Sequence, residues 1–140
     1  MKGKLIALSL LALAACGGDI SKLPADDAHF DFDAQLLTTP AQPTVGARVD
    51  LNLDVTSMSN RDVKTDLVLR VVGADGHIMY QQVWEAVQFN QGEDWNLTQG
   101  FFPDSDAGTQ KWHVELLVRD HAKGTILFDE AIAQLDFNKT

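Results

Sequence analysis

From His29 to the carboxyl end, apolar residues recur at every second position. That is the period of a β-strand with one face on a core and the other in water. In residues 29–37, Phe30, Phe32, Ala34 and Leu36 fall on one side while Asp31, Asp33 and Gln35 fall on the other. Pro40 and Pro43 then end the run, because neither can donate to a central ladder. Residues 45–56 alternate most cleanly, with Val49, Leu51, Leu53 and Val55 set against Arg48, Asp50, Asn52 and Asp54. No later segment holds a helical period over three turns.

The same reading continues through five further elements. Residues 57–62 (SMSNRD) form a turn by composition. Residues 64–72 place Thr65, Leu67, Leu69 and Val71 inward. Gly73-Ala74-Asp75-Gly76 supplies the small, positive-φ residues of a tight hairpin, so residues 77–85 are expected to return as an antiparallel neighbour. A shorter strand carries Trp95 and Leu97 after a turn at residues 90–93. Beyond a loop at residues 103–108, Trp112, Val114, Leu116 and Val118 share one face of residues 111–119. A turn at residues 120–124 leads to a last strand over residues 125–138. There the apolar parity changes from Ile126 and Phe128 to Ala131, Ala133, Leu135 and Phe137, which predicts a bulge or kink near Asp129-Glu130. Seven or eight short antiparallel strands at this spacing predict an all-β sandwich of immunoglobulin or fibronectin-III type. A small closed barrel is the alternative.

The 140 residues hold 11 Lys and Arg, 20 Asp and Glu, and one Cys. That suits one domain and a short extra segment. A formal charge of −9 argues against nucleic acid or a bare anionic membrane surface as partner. A single Cys excludes an intrachain disulfide and a Cys-cluster zinc site.

The amino-terminal segment has a different character. Lys2 and Lys4 precede an uncharged run from Leu5 to Ala15, too short to cross a hydrocarbon core that needs roughly 20 apolar residues. Residues 1–15 therefore read as an export signal. Leu13-Ala14-Ala15-Cys16 closely resembles the lipobox of bacterial lipoproteins. That resemblance implies cleavage before Cys16, a diacylglyceryl group on its sulfur and acylation of the new amino terminus with fatty chains such as palmitate. A stable anchor needs at least two such chains, since one binds only reversibly. It also removes the liability of an unpaired exported thiol. The alternative is a soluble secreted protein with Cys16 at the cleavage site by chance. In the lipoprotein family, Asp after the Cys often retains the product in the inner membrane. Gly17 stands there, so the resemblance implies the outer membrane of the cell envelope, on its periplasmic or surface face. Residues 16–28, with Gly, Ser, Pro and Asp and no apolar period, read as a flexible tether, and residues 29–140 as the folded domain. Cleavage leaves nine basic against 20 acidic groups, so the body is repelled by the membrane that the lipid holds it to.

A looser resemblance covers Val45 to Phe137. Tyr80-Gln81-Gln82-Val83-Trp84, Phe89, Gly92 and Gly108-Thr109 look like the pattern of immunoglobulin-like accessory domains in secreted polysaccharide-active and surface proteins. Ala86 stands where that pattern has Gly, and Gln110 where it has Tyr. The resemblance implies sandwich geometry and proximity to carbohydrate, and says nothing of catalysis.

No motif demands a reaction or a cofactor. His29, His77, His113 and His121 are scattered, with no i,i+4 metalloprotease spacing, and His113 alternates with core residues and so faces outward. Asp31, Asp33, Asp50 and Asp54 are the polar sides of strands. Asp104-Ser105-Asp106 lacks the rest of an EF-hand loop and reads as an acidic loop. Asn96-Leu97-Thr98 matches a glycosylation sequon but reads as strand sequence.

The remaining clue is apolar residues on the outward parity: Val68 and Val72 in one strand and Leu117 in its expected neighbour. If Tyr80 and Trp84 also face outward, this sheet presents an aromatic surface suited to stacking on sugar rings or docking a protein. In the alternative placement Tyr80 and Trp84 are core, with Met79 and Val83 outside, and Trp112 is core in either case. Trp84→Ala separates the two by its effect on stability. These readings lead to a non-enzymatic envelope lipoprotein whose immunoglobulin-like domain binds a polysaccharide or an envelope protein. The alternative function is an inhibitor or assembly factor acting by addition at a sheet edge. An enzyme is the third reading, and no site geometry supports it.

Overall fold

The structure, a computed structural model, describes residues 28–138. The signal, Cys16 and the tether up to residue 27 lie outside the described residues. Seven strands follow one another: β1 (Phe32–Thr39), β2 (Val49–Ser57), β3 (Val63–Gly73), β4 (Ile78–Phe89), β5 (Asp94–Phe101), β6 (Trp112–Asp120) and β7 (Ile126–Leu135). A 3-10 turn over Ala107–Thr109 precedes β6. They form two antiparallel sheets, one ordered β1-β2-β5 and the other β4-β3-β6-β7. The chain is an immunoglobulin-like β-sandwich, the architecture expected from the alternation.

The predicted inward residues fill the space between the sheets. Val49, Leu51, Leu53 and Val55 of β2 face Leu67, Leu69 and Val71 of β3 and Val114, Leu116 and Val118 of β6, all buried. Thr65, the one polar member of this set, donates its hydroxyl to the Val87 carbonyl at 3.0 Å and is thereby satisfied. At one pole Phe32 meets Phe89 and Phe128 edge-on, at ring separations of 5.4 and 6.2 Å. Towards the other, the buried Trp112 indole donates to the Ala107 carbonyl at 2.7 Å.

The hairpin at residues 73–76 forms as expected. Gly76 has φ +86° and donates to the Gly73 carbonyl, and Gly73 donates to His77. Buried Ser59 closes the turn after β2, its hydroxyl both accepting from Asp31 N and donating to Asp31 O.

Several boundaries and faces differ from expectation. The first strand begins at Phe32 and the second at Val49, because Val45 instead donates its amide to Asn138, whose own amide bonds Pro43 in a short parallel bridge. Ser57 belongs to β2. The register of β7 slips twice: Val118 pairs with Phe128 but Arg119 with Ile126, and Val114 with Ala133 but Glu115 with Ala131. The second slip makes Ile132 the extra residue, so the kink lies two positions beyond the expected Asp129-Glu130. The first turns Ile126 outward, 61% exposed, although it shares its parity with the buried Phe128.

Candidate binding site

Opposed residues in an antiparallel pair lie on the same face. Trp84 is opposite Leu67, and Tyr80 opposite Val71, whose side chains are core. Tyr80 and Trp84 therefore point between the sheets, and the aromatic outer surface does not form. Trp84 packs edge-on to Trp95 of β5 at 5.5 Å, and Tyr80 stacks on Phe101 at 4.8 Å. Together they close the side of the sandwich where the edge strands β4 and β5 meet. Burial pushes the Tyr80 phenol up from its ordinary pKa, offset in part by Gln99. Val83 is outside, as the alternative placement has it. Met79 is not: a slip between Val71 and Val72 turns it onto the core.

The other two residues of the expected surface do sit side by side. Val68 is opposite Leu117 on one flank and Val83 on the other, forming an aliphatic row across the four-stranded sheet. Val68, on a central strand between Leu117 and Val83, is nonetheless only 3% exposed, and Val72 is likewise buried. Charged rows bound the stripe. Arg70 lies opposite Gln81 and Glu115 and donates to Gln81 at 2.9 Å, and Asp66 lies opposite Arg119. What remains open is narrow.

The outer face of the three-stranded sheet has a different character. Its residues are Asp33, Gln35, Leu37 and Thr39 of β1, Asp50, Asn52, Asp54 and Thr56 of β2, and Asp94, Asn96, Thr98 and Gly100 of β5. A shallow hollow of about 390 Å3 lies over its middle, lined by Gln35, Leu37, Asn52, Asp54, Asn96 and Thr98. Leu37 stands at its rim, 75% exposed. Cross-strand hydrogen bonds fix the lining. Thr98 donates its hydroxyl to Asn52 at 2.9 Å, and Asn52 donates in turn to Thr39 and to the Leu37 carbonyl. Asn96 and Thr56 both donate to Asp94, at 2.9 and 2.8 Å.

Asp54 and Asp94 are diagonal neighbours, and their carboxyls share a hydrogen bond. Asp54 is raised above the ordinary carboxylate range, first by that bond, then by burial and by the charges of Asp94 and Asp33. Asp94 is lowered, first by Asp54 and then by Thr56 and Asn96. Asp54 is thus the weaker acid of the pair and Asp94 the stronger. The Oδ1 of Asp54 is enclosed and makes no hydrogen bond.

A second cleft, of about 610 Å3, lies at the pole where the described chain begins, between Phe30, Arg61, Lys64, His121 and Lys123. Three histidines each lie near a separate acid: His77 is 3.8 Å from Asp104, His113 2.9 Å from Glu115 and His121 2.7 Å from Asp66. His113 is on the outer face, as its parity predicts. Among the described residues no three His, Cys, Asp or Glu are grouped so as to hold a metal ion. Asp104 and Asp106 cap the 3-10 turn through their carbonyls, which accept from Ala107 and Thr109. Asn96 is an ordinary strand residue.

The hollow escaped sequence reasoning. Asn52 and Asp54 read only as the wet side of a strand. Their junction with Asn96 and Thr98 arises because β5 skips β3 and β4 to pair with β2.

No family model matches the chain, and no curated protein sequence matches it. Solved structures do resemble it in fold. A CARDB domain from Pyrococcus furiosus, in complex with di-metal ions, aligns with a TM-score of 0.55 and 15% identity over 86% of this chain and 97% of that one. The C-terminal domain of wzt gives 0.55 and 15%, over 81% and 74%. A β-glucuronidase from Bacteroides uniformis gives 0.52 and 14% over 75% of this chain, which corresponds to only 14% of the enzyme. Identities this low establish a shared immunoglobulin-like sandwich and nothing finer.

Proposed function

We propose that this chain is a non-enzymatic envelope lipoprotein, anchored by acyl chains at Cys16 in an outer membrane, whose sandwich binds a polysaccharide on the outer face of the three-stranded sheet. The observation that carries the glycan reading is the hollow over Asn52 and Asp54, walled by amide, hydroxyl and carboxylate groups already held in place by cross-strand bonds. Sugar hydroxyls need such polar partners at fixed positions, and groups ordered beforehand lose little entropy when a ligand arrives. The similarity to part of a glucuronidase is one of fold, so the reading rests on the hollow. The lipobox supports the anchor.

Two measurements test this. Intact mass of protein extracted from native membranes is expected to show an amino terminus at Cys16 carrying at least two acyl chains, and a free thiol there overturns the anchor. Retention of the purified protein on a glycan array is the expected sign of polysaccharide binding, and silence across the array overturns it. A protein partner is the second reading, favoured by the row of Val83, Val68 and Leu117 flanked by Arg70, Glu115 and Arg119. One stoichiometric partner lost on Leu117→Asp, with no glycan bound, would select it.

A further inference from the structure

The cleft at the pole where the described chain begins gathers positive charge in an acidic molecule. Arg61, Lys64 and Lys123 line it, three of the seven Lys and Arg among the described residues of a chain whose formal charge is −9. Lys64 and Lys123 are exposed, and among the described residues neither makes an ion pair. Arg61 donates to the Asn60 carbonyl at 2.9 Å and keeps its charge. Two acids share the lining, and each commits an oxygen to the backbone. Asp62 accepts from the Gln91 amide at 3.0 Å, and Asp120 accepts from the amides of Ala122 and Lys123 at 2.9 Å. With the bond from His121 N to the Lys64 carbonyl, these fix the turn that carries Lys123 beside Lys64. Phe30, Val63 and Ala122 supply apolar wall. Cations and apolar wall together suit an amphiphilic anion, its oxygens at the lysines and its carbon chain against the phenyl ring.

Position decides which amphiphile. Ala28 also lines the cleft, and it follows Cys16 by only twelve residues, which reach at most about 40 Å when extended. Acyl chains on Cys16 therefore hold this pole nearer the bilayer than the pole that bears residues 102–111. Resting on the lipid anchor proposed above, we propose that the cleft receives the phosphodiester headgroup of an anionic phospholipid and docks the domain on its own membrane by this end. The net charge of the body opposes approach as a whole. At contact the local cations decide, because surface potentials fade within a Debye length of about 10 Å. Docked in this way, the domain leaves the outer faces of both sheets open to a ligand.

Lysine footprinting of the protein purified from native membranes reads the site directly. The protein is reconstituted in vesicles of phosphatidylcholine alone or with about one third phosphatidylglycerol, acetylated with an amine-reactive reagent and mapped by mass spectrometry. Lys64 and Lys123 are expected to react at least about threefold more slowly in the anionic vesicles, while the exposed Lys111 at the opposite pole reacts alike in both. Lys123→Gln, an exposed change, is expected to bring Lys64 back to within about 1.5-fold of its rate in phosphatidylcholine. Equal rates at Lys64 and Lys123 in the two vesicle types, equal slowing of Lys111, or protection of Lys64 that survives Lys123→Gln overturns the inference. Protection reproduced in phosphatidylcholine vesicles by millimolar inorganic phosphate overturns the lipid as its source. Protein that floats with both vesicle types while its lysines stay unprotected leaves the anchor standing and removes headgroup docking. Protein that floats with neither overturns the two together.

Discussion

Trp112 combines two roles that a smaller apolar residue cannot. Its ring fills the core at the start of β6, and its indole N–H satisfies the Ala107 carbonyl before that strand. Trp112→Phe keeps much of the bulk and leaves that carbonyl unpaired. It is expected to lower stability by about 1–3 kcal/mol, read as a fall in the urea midpoint. Asp66 works through charge. It accepts hydrogen bonds from the Ala86 amide at 3.0 Å and from His121 at 2.7 Å, and these, in that order, hold its carboxyl below the ordinary value of 3.8. A lowered folded-state pKa contributes stability that is complete above the unfolded value and is lost as pH falls through the folded one. Asp66→Asn should therefore lower Tm near neutral pH, and the gap to the parent should close as pH drops below 3.8. Asp54 has the opposite sign. Its raised pKa contributes stability at low pH that is lost as pH rises through the folded value, so Asp54→Asn should not weaken the neutral protein. Ala86 stands where the accessory-domain pattern has Gly, and its φ of +58° explains the Gly. Here an alanine stands in the same backbone region, its N–H donating a hydrogen bond to the Asp66 carboxylate.

Legibility divided sharply between strands. β2 and β6 alternate without interruption, and every inward residue read from them is buried. β4 was opaque. Ile78, Met79, Tyr80, Val83, Trp84 and Val87 occupy both parities, so either face fits a core, and the two slips against β3 decide which one does. Parity arguments fail wherever an unpaired residue is inserted, and the same failure at Leu127 and Ile132 misplaced Ile126 and the kink of β7. The orientation of β4 has a direct consequence. Trp84→Ala opens the packing against Trp95 and is expected to cost about 2 kcal/mol in chemical denaturation, less than for a fully enclosed ring. Glycan retention should survive it, since Trp84 faces between the sheets rather than the hollow.

At the scale of the molecule, the two outer faces carry different surfaces. The four-stranded face mixes arginines, acids and a narrow aliphatic row, whereas the three-stranded face is acidic, with cross-strand side-chain hydrogen bonds around Asn52 and Asp94. The sandwich was legible because alternation, turns and length agreed. The hollow was not, because it joins Asn52 to Thr98 and Asp54 to Asn96, positions more than 40 residues apart brought together only by the crossover of β5. The most direct test of where ligands bind is amide chemical-shift mapping of the isotope-labelled protein during titration with a glycan retained on the array. The expected result is a set of shifted resonances centred on Gln35, Asn52, Asp54, Asn96 and Thr98. Shifts confined to Val68, Val83 and Leu117, with the three-stranded face silent, would contradict it.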